Sequence, residues 1–323
     1  MVKTFVRLVG AGFAILACFG TACADDYPVR NITIINAFAA GGPTDAYLRP
    51  MAQRLGEWLG KPVIIENQPG ASGILAASTV KRSAPDGHTL LAISNTHAIN
   101  ESLNPNRNYK LMQDFTPVTE LFTSEHAILV SLKVPVKTLP ELIALAKKEP
   151  GKLTYASSGP GSTYHLATEM FKSMAGVDIL HVPYKASSQA RTDLISGQID
   201  MFFDLTGPML SQIRAGTVRV LATTGKTRSP TLPDVPTASE AGVPGYNAEA
   251  WVALLAPAGT PDAVIEKLRS QIVRFMKTPE AERIATTQGV TQVGSTPKEL
   301  RAFLDDEIVK WAAVVKSAHL EIQ

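Results

Sequence analysis

The chain of 323 residues is poor in thiols, in net charge and in long apolar runs. Its two cysteines, Cys18 and Cys23, are too few for a disulfide scaffold or a Cys₄ metal site. Lysine and arginine number 31 against 29 acidic residues, a balance that argues against a nucleic-acid partner, which normally leaves a basic face. No apolar run approaches the ~18 residues needed to span a bilayer. There is no G-x-S-x-G elbow, no HExxH helix and no EF-hand loop, and the six histidines are scattered. No cofactor or metal is expected from these patterns. No solenoid-type repeat is visible. With 45% apolar and 19% charged residues the chain is globular, and its length suits two lobes better than one.

What is present begins with residues 1–24. Lys3 and Arg7 precede a 13-residue apolar stretch, residues 8–20, and Ala22-Cys23-Ala24 is a small-x-small site before Asp25-Asp26. This is the anatomy of a cleavable secretory signal peptide cut after Ala24. A lipid-anchored form through Cys18 or Cys23 is the lesser alternative, because neither cysteine follows a good lipobox. Cleavage removes both cysteines and two positive charges, leaving 299 residues with 29 charges of each sign. A mature chain without thiols excludes cysteine nucleophiles, disulfides and thiolate metal ligands.

The mature chain alternates β-branched runs with helical patterns. Strands are expected at residues 32–38, 63–65 and 89–93, with a helix over 44–59 carrying Leu48, Met51, Ala52, Leu55 and Leu59 on one stripe. Pro50 lies inside that helix and removes one backbone hydrogen bond. A second set places strands at 127–132, 153–157, 178–184, 199–203 and 218–223. Helices over 163–174, 187–196 and 208–215 separate the later ones. A further helix follows Thr138, with Glu141 completing a capping box. Residues 230–244 are rich in proline and read as an ordered loop, followed by a strand at 251–255. Thr260-Pro261, Thr278-Pro279 and Thr296-Pro297 each read as an N-cap with proline at the first helical position. Two α/β units with a helical return predict two lobes joined by more than one crossing: residues 25–124 plus 246–323, and residues 125–245.

Two glycine-rich turns leave a strand and open a helix. One is Phe38-Ala39-Ala40-Gly41-Gly42-Pro43-Thr44-Asp45; the other is Ser157-Ser158-Gly159-Pro160-Gly161-Ser162-Thr163. Such turns present unsatisfied N–H groups at the positive end of a helix and bind anions without a basic residue. Either alone is equally a sharp connection; two of them, one per lobe, at the strand ends where α/β sheets bind ligands, point to a shared site. Asp45, near the third helical position, is placed to cap its own turn. Asp204, after Met201-Phe202-Phe203, reads either as a cleft acceptor or as a helix cap. Gly225-Lys226-Thr227 ends like a P-loop but has Val220 where the first glycine belongs, and Gly159-Pro160-Gly161 has Tyr164 where a dinucleotide fingerprint needs glycine.

Further segments occur in order: Glu66-Asn67-Gln68-Pro69-Gly70-Ala71, Pro85-Asp86-Gly87-His88-Thr89-Leu90, His181-Val182-Pro183-Tyr184-Lys185, Leu232-Pro233-Asp234-Val235-Pro236-Thr237 and Leu255-Ala256-Pro257-Ala258-Gly259-Thr260-Pro261. With the first glycine turn, this ordered set resembles the substrate-binding proteins of tripartite tricarboxylate transporters, the Bug family, from about Pro28 to the C-terminus. The resemblance implies an α/β, two-lobed periplasmic binding protein of type II fold that closes on a small organic acid and serves integral-membrane transporter subunits. It also implies a ligand site at Phe38, Ala39, Ala40, Gly41, Gly42, Thr44 and Asp45 in one lobe. The opposite lobe would contribute Ser157, Gly161, Ser162, Thr163 and His165, with Ser94, Asn95, Thr96, Tyr184 and Asp204 along the cleft. Leu205 and Thr206 depart from the Asp-Asn type of pair common in the family, which leaves the far end of the pocket and the ligand's identity open. The alternative reading is a periplasmic hydrolase using Ser162 with His165. It lacks an elbow and an evident orienting partner.

Overall fold

The computed structural model describes residues 26–318; the expected export signal and the lipidation candidates Cys18 and Cys23 lie outside them. The first part of the chain runs β1 (Ile32–Asn36), α1 (Pro43–Leu59), β2 (Val63–Asn67), α2 (Ile74–Lys81), β3 (Thr89–Ser94), α3 (Asn95–Leu103), α4 (Leu111–Asp114) and β4 (Phe115–Ser124). The middle part runs β5 (His126–Val130), α5 (Leu139–Lys148), β6 (Thr154–Ser157), α6 (Thr163–Ala175), β7 (Leu180–Pro183), α7 (Ser187–Ser196), β8 (Met201–Leu205), α8 (Thr206–Arg214) and β9 (Arg219–Thr223). The last part is β10 (Ala250–Pro257), α9 (Asp262–Met276), α10 (Pro279–Gln288), β11 (Thr291–Gln292) and α11 (Pro297–Ser317).

These strands form two mixed sheets, ordered β11-β4-β10-β3-β1-β2 and β7-β6-β8-β5-β9. β1 pairs in parallel with β2 and β3, and β6 with β7 and β8, so helices must carry the chain back over each sheet. β10 returns antiparallel between β3 and β4, and β5 lies antiparallel between β8 and β9. The chain therefore passes from the first sheet to the second between β4 and β5, and back between β9 and β10.

A single buried cluster runs from Leu91 and Ile93 of the first sheet to Ile128, Tyr155 and Phe203 of the second. Leu300, Leu304 and Trp311 of α11 belong to it, which ties the two sheets through the C-terminal helix. Separate clusters seat α1 and α9 on the first sheet and α7 and α8 on the second.

Most elements sit where the periodicity predicts, and the differences have local causes. α1 runs unbroken from Pro43 to Leu59 through Pro50. Thr138 caps α5, but Glu141 reaches one residue further back and accepts from the Lys137 N–H, so the capping box is not closed. Thr260 is not an N-cap: its hydroxyl donates to the Pro257 carbonyl and α9 starts one residue later, after Pro261. Thr278 and Thr296 cap as expected, and Glu299 closes a true capping box. β4 and α3, which no periodic pattern announces, supply part of the site.

Candidate functional site

Four helices start at the C-terminal ends of neighbouring parallel strands: α1 after β1, α3 after β3, α6 after β6 and α8 after β8. Their first turns open on one cavity of about 420 Å³ between the two sheets. Pro43 and Thr44 line it from α1, Asn95 and Thr96 from α3, Thr163 and Tyr164 from α6, Gly207 and Pro208 from α8. The remaining wall comes from Phe38, Ser94 and Leu205, from Phe122 and Ser124 of β4, from the start of β10 at Ala250, Trp251 and Val252, and from Thr287, Gln288 and Val290 at the end of α10. None of these lining residues carries a charge.

The two glycine turns are built alike. In the first, Gly41 adopts φ +77°, Gly42 is the N-cap, and Asp45 reaches back to accept the Gly41 N–H at 2.9 Å. In the second, Gly161 adopts φ +73°, Ser162 is the N-cap, and His165 Nδ1 accepts the Gly161 N–H at 3.1 Å. These left-handed backbones suit glycine. The first intrahelical bonds are Ala46 to Gly42 and Leu166 to Ser162. That leaves the N–H groups of Thr44, Asp45, Thr163 and Tyr164, at the positive helix ends, without a partner in the chain and open to an anion.

The braces differ in charge. Asp45 is almost fully buried and also accepts from Arg49 Nε at 2.8 Å and Asn67 Nδ2 at 2.9 Å. Burial would raise its pKa, but the bonds from Arg49, Gly41 and Asn67 outweigh it and hold the carboxyl below its usual range. His165 is buried against His181, with ring centroids 4.1 Å apart, and burial followed by that neighbour pushes it down to about 4. It is therefore neutral near pH 7 and able to accept a hydrogen bond.

The expected site residues divide into cavity wall and scaffold. Phe38, Thr44, Ser94, Asn95, Thr96 and Thr163 line the cavity. The Asn95 side chain is committed elsewhere: it accepts from Trp251 N and donates to the Glu249 carbonyl, locking α3 to the start of β10. Ala39, Ala40, Gly41 and Gly42 shape the first turn without lining the cavity, and the Gly41 N–H is spent on Asp45. Ser157, Gly161, Ser162 and His165 shape the second. Ser157 Oγ meets His181 Nε2 at 2.6 Å and accepts the Gly159 N–H, while Ser162 Oγ accepts the His165 N–H.

Two expectations are corrected by geometry. Asp204 does not face the cavity; it is fully buried and held by Arg191 of α7 through bonds of 2.5 and 3.0 Å. Nor does it cap α8, whose N-cap is Leu205 without a side-chain cap. Tyr184 does not line the cavity either, and its hydroxyl donates to Asp193. Conversely, Tyr164, Phe122, Trp251, Pro208 and Val290 line the cavity without being among the residues the sequence marks for the site. Tyr164 follows Thr163 directly at the opening of α6 and was readable on that ground. Trp251 also belongs to the wall, and its indole N–H is anchored on the buried Glu307, a partner 56 residues away that local sequence does not disclose.

Two α/β sheets with helix N-termini gathered on a cavity between them define a solute-binding class of protein. Residues 47–320 match the tripartite tricarboxylate transporter family receptor model. The chain is 34% identical over 98% of both sequences to Protein BugT of Bordetella pertussis. An R. palustris protein solved with adipate has 35% identity and a TM-score of 0.77, covering 91% of this chain and 99% of its own. MatC from Rhodopseudomonas palustris with bound malate has 34% identity and a TM-score of 0.73, covering 90% and 100%. The chain belongs to the tripartite tricarboxylate transporter receptor family.

Proposed function

We propose that this receptor captures a small organic anion, most simply a carboxylate, between its two lobes and hands it to the membrane subunits of a tripartite transporter. The lobes are taken as residues 25–124 plus 246–323 and residues 125–245, which follow the division of strands between the two sheets. Export is by the signal at residues 1–24, so the receptor works in the periplasm. The observation that carries the reading is the meeting of uncommitted first-turn N–H groups from α1 and α6 at a cavity with no charged lining. Amide donors hold an anion through several modest bonds and release it readily, which suits transport. Closing of the lobes around the ligand is the signal to the membrane partner.

The hydrolase reading finds no support in the geometry. Ser162 Oγ is an N-cap acceptor, and His165 Nδ1 takes the Gly161 N–H rather than a serine proton. Thermal unfolding against a panel of organic acids tests the proposal. An acid at ~100 times its dissociation constant adds about 2.7 kcal/mol of stability. A panel with no shift, together with ester or amide turnover abolished by Ser162→Ala, would reverse the choice. N-terminal sequencing of the periplasmic protein should begin at Asp25.

A further inference from the structure

The cavity has two chemically different ends. At one, the α1 and α6 turns face each other, with the Thr44, Asp45, Thr163 and Tyr164 N–H groups uncommitted within the chain. At the other lie Phe122, Leu205, Pro208, Trp251, Val290 and Gln288. The sheet order separates the ends: β1 and β3 carry the first, and β4 with the β11 edge carries the second.

The second end cannot serve a second carboxylate as the first serves one. Although α8 starts there, its first turn is poor in donors. The Thr206 N–H donates to the Glu125 carbonyl, Pro208 has none, and the remaining N–H, that of Gly207, is crowded by Gly289, on which a Cβ would lie 2.9 Å from the Gly207 nitrogen. The neighbouring hydroxyls are also committed, Ser124 to the Gly289 carbonyl and Thr287 to the Arg283 carbonyl. Facing this end is the C-terminus of α10, whose carbonyls carry the negative pole of the helix. Among the described residues lining this end, only the Gln288 carboxamide offers an uncommitted side-chain donor. A carboxylate buried there would lose its hydration against aromatic and aliphatic walls without a cation to replace it.

We infer that the ligand is an amphiphilic monocarboxylate: one carboxylate at the α1/α6 turns and an apolar aliphatic or aromatic body against Phe122, Leu205 and Trp251, ending without a second charge. This rests on the carboxylate reading above and narrows it. It also separates this receptor from the two structural relatives solved with adipate and malate, both dicarboxylates.

The test is calorimetric titration of the full mature chain, stripped of co-purified ligand, with acids matched in length. Hexanoate should bind at least tenfold more tightly than adipate, and phenylacetate more tightly than terephthalate. Across propionate, butyrate, hexanoate and octanoate, affinity should rise about threefold per added methylene until the cavity is filled. Adipate binding as tightly as hexanoate, or a flat chain-length series, overturns the inference while leaving the carboxylate receptor intact. No binding of any acid removes the carboxylate reading and this inference with it. Leu205→Asn then locates the tail: it should weaken hexanoate fivefold or more with the melting temperature preserved. Unchanged hexanoate affinity in a folded variant would overturn the placement.

Discussion

The turns that open α1 and α6 perform one task with opposite electrostatics. Each places a glycine in the left-handed region, and each has the third helical residue accept that glycine's N–H. In the first the acceptor is an ionised carboxylate, balanced by Arg49; in the second it is a neutral imidazole packed on His181. What the two turns share is backbone geometry, not side-chain charge, and the proposed binding rests on the shared part. An anion can sit near Asp45 because that charge is already consumed by Gly41, Asn67 and Arg49.

The comparison breaks most severely at Asp45. Asp45→Ala leaves the Gly41 N–H without its acceptor and takes one of two acceptors from the Asn67 amide, which keeps the Phe38 carbonyl, and should cost about 2 kcal/mol in urea denaturation. Calorimetry should show at least a tenfold loss of ligand affinity. His165→Leu removes the equivalent acceptor in the second turn while keeping an apolar body; about 1.5 kcal/mol is expected, with a smaller loss of binding. An equal effect of the two substitutions on affinity would mean that charge at the first brace is immaterial.

Acid should separate the two turns by pH. His165 sits near 4 when folded, below the ordinary histidine value of ~6.5, so the unfolded chain takes up its proton first. Its share of stability falls as the pH drops from about 6.5 to about 4, by up to about 1.4 kcal/mol per pH unit, and is flat below. Asp45 is held below the usual carboxylate range, so its share is intact above about pH 4 and is lost only as the pH falls through the lowered value. Because buried His97 and His126 also sit at about 4, the readout is the difference in slope between the wild type and His165→Leu across pH 6.5 to 4. Identical slopes would contradict a neutral brace. The smallest effects belong to the hydroxyls: Thr44→Val and Thr163→Val should each weaken binding by about threefold, within the range of one modest hydrogen bond. A large effect at only one of them would show that the anion leans on a single turn.

Much of this was legible locally. The strand-turn-helix pattern around Gly41 and Gly161, the Gly176 cap of α6 and the Thr296 capping box depend on neighbours a few residues apart, and the sequence carries them openly. β4 was hidden because it is buried along most of its length, contains Pro117 and Glu120, and so has no alternation to read. The burial of Asp204 cannot be read locally because its partner, Arg191, comes from a helix packed across the strand. The apolar end of the cavity is hidden from local sequence for the same reason: Phe122, Leu205, Trp251 and Val290 meet only once both sheets are assembled. The departure at Leu205 was the one signal in the chain that this end is unusual.

The contact of Gly207 with Gly289 has a mechanical consequence. Backbone meets backbone there, since a Cβ on Gly289 would lie 2.7 Å from the Gly207 Cα. The two halves of the molecule thus touch through a bare backbone seat. Where the lobes close on a ligand as proposed, a side chain at either position acts as a wedge, propping the mouth ajar and shortening the time a trapped molecule stays inside.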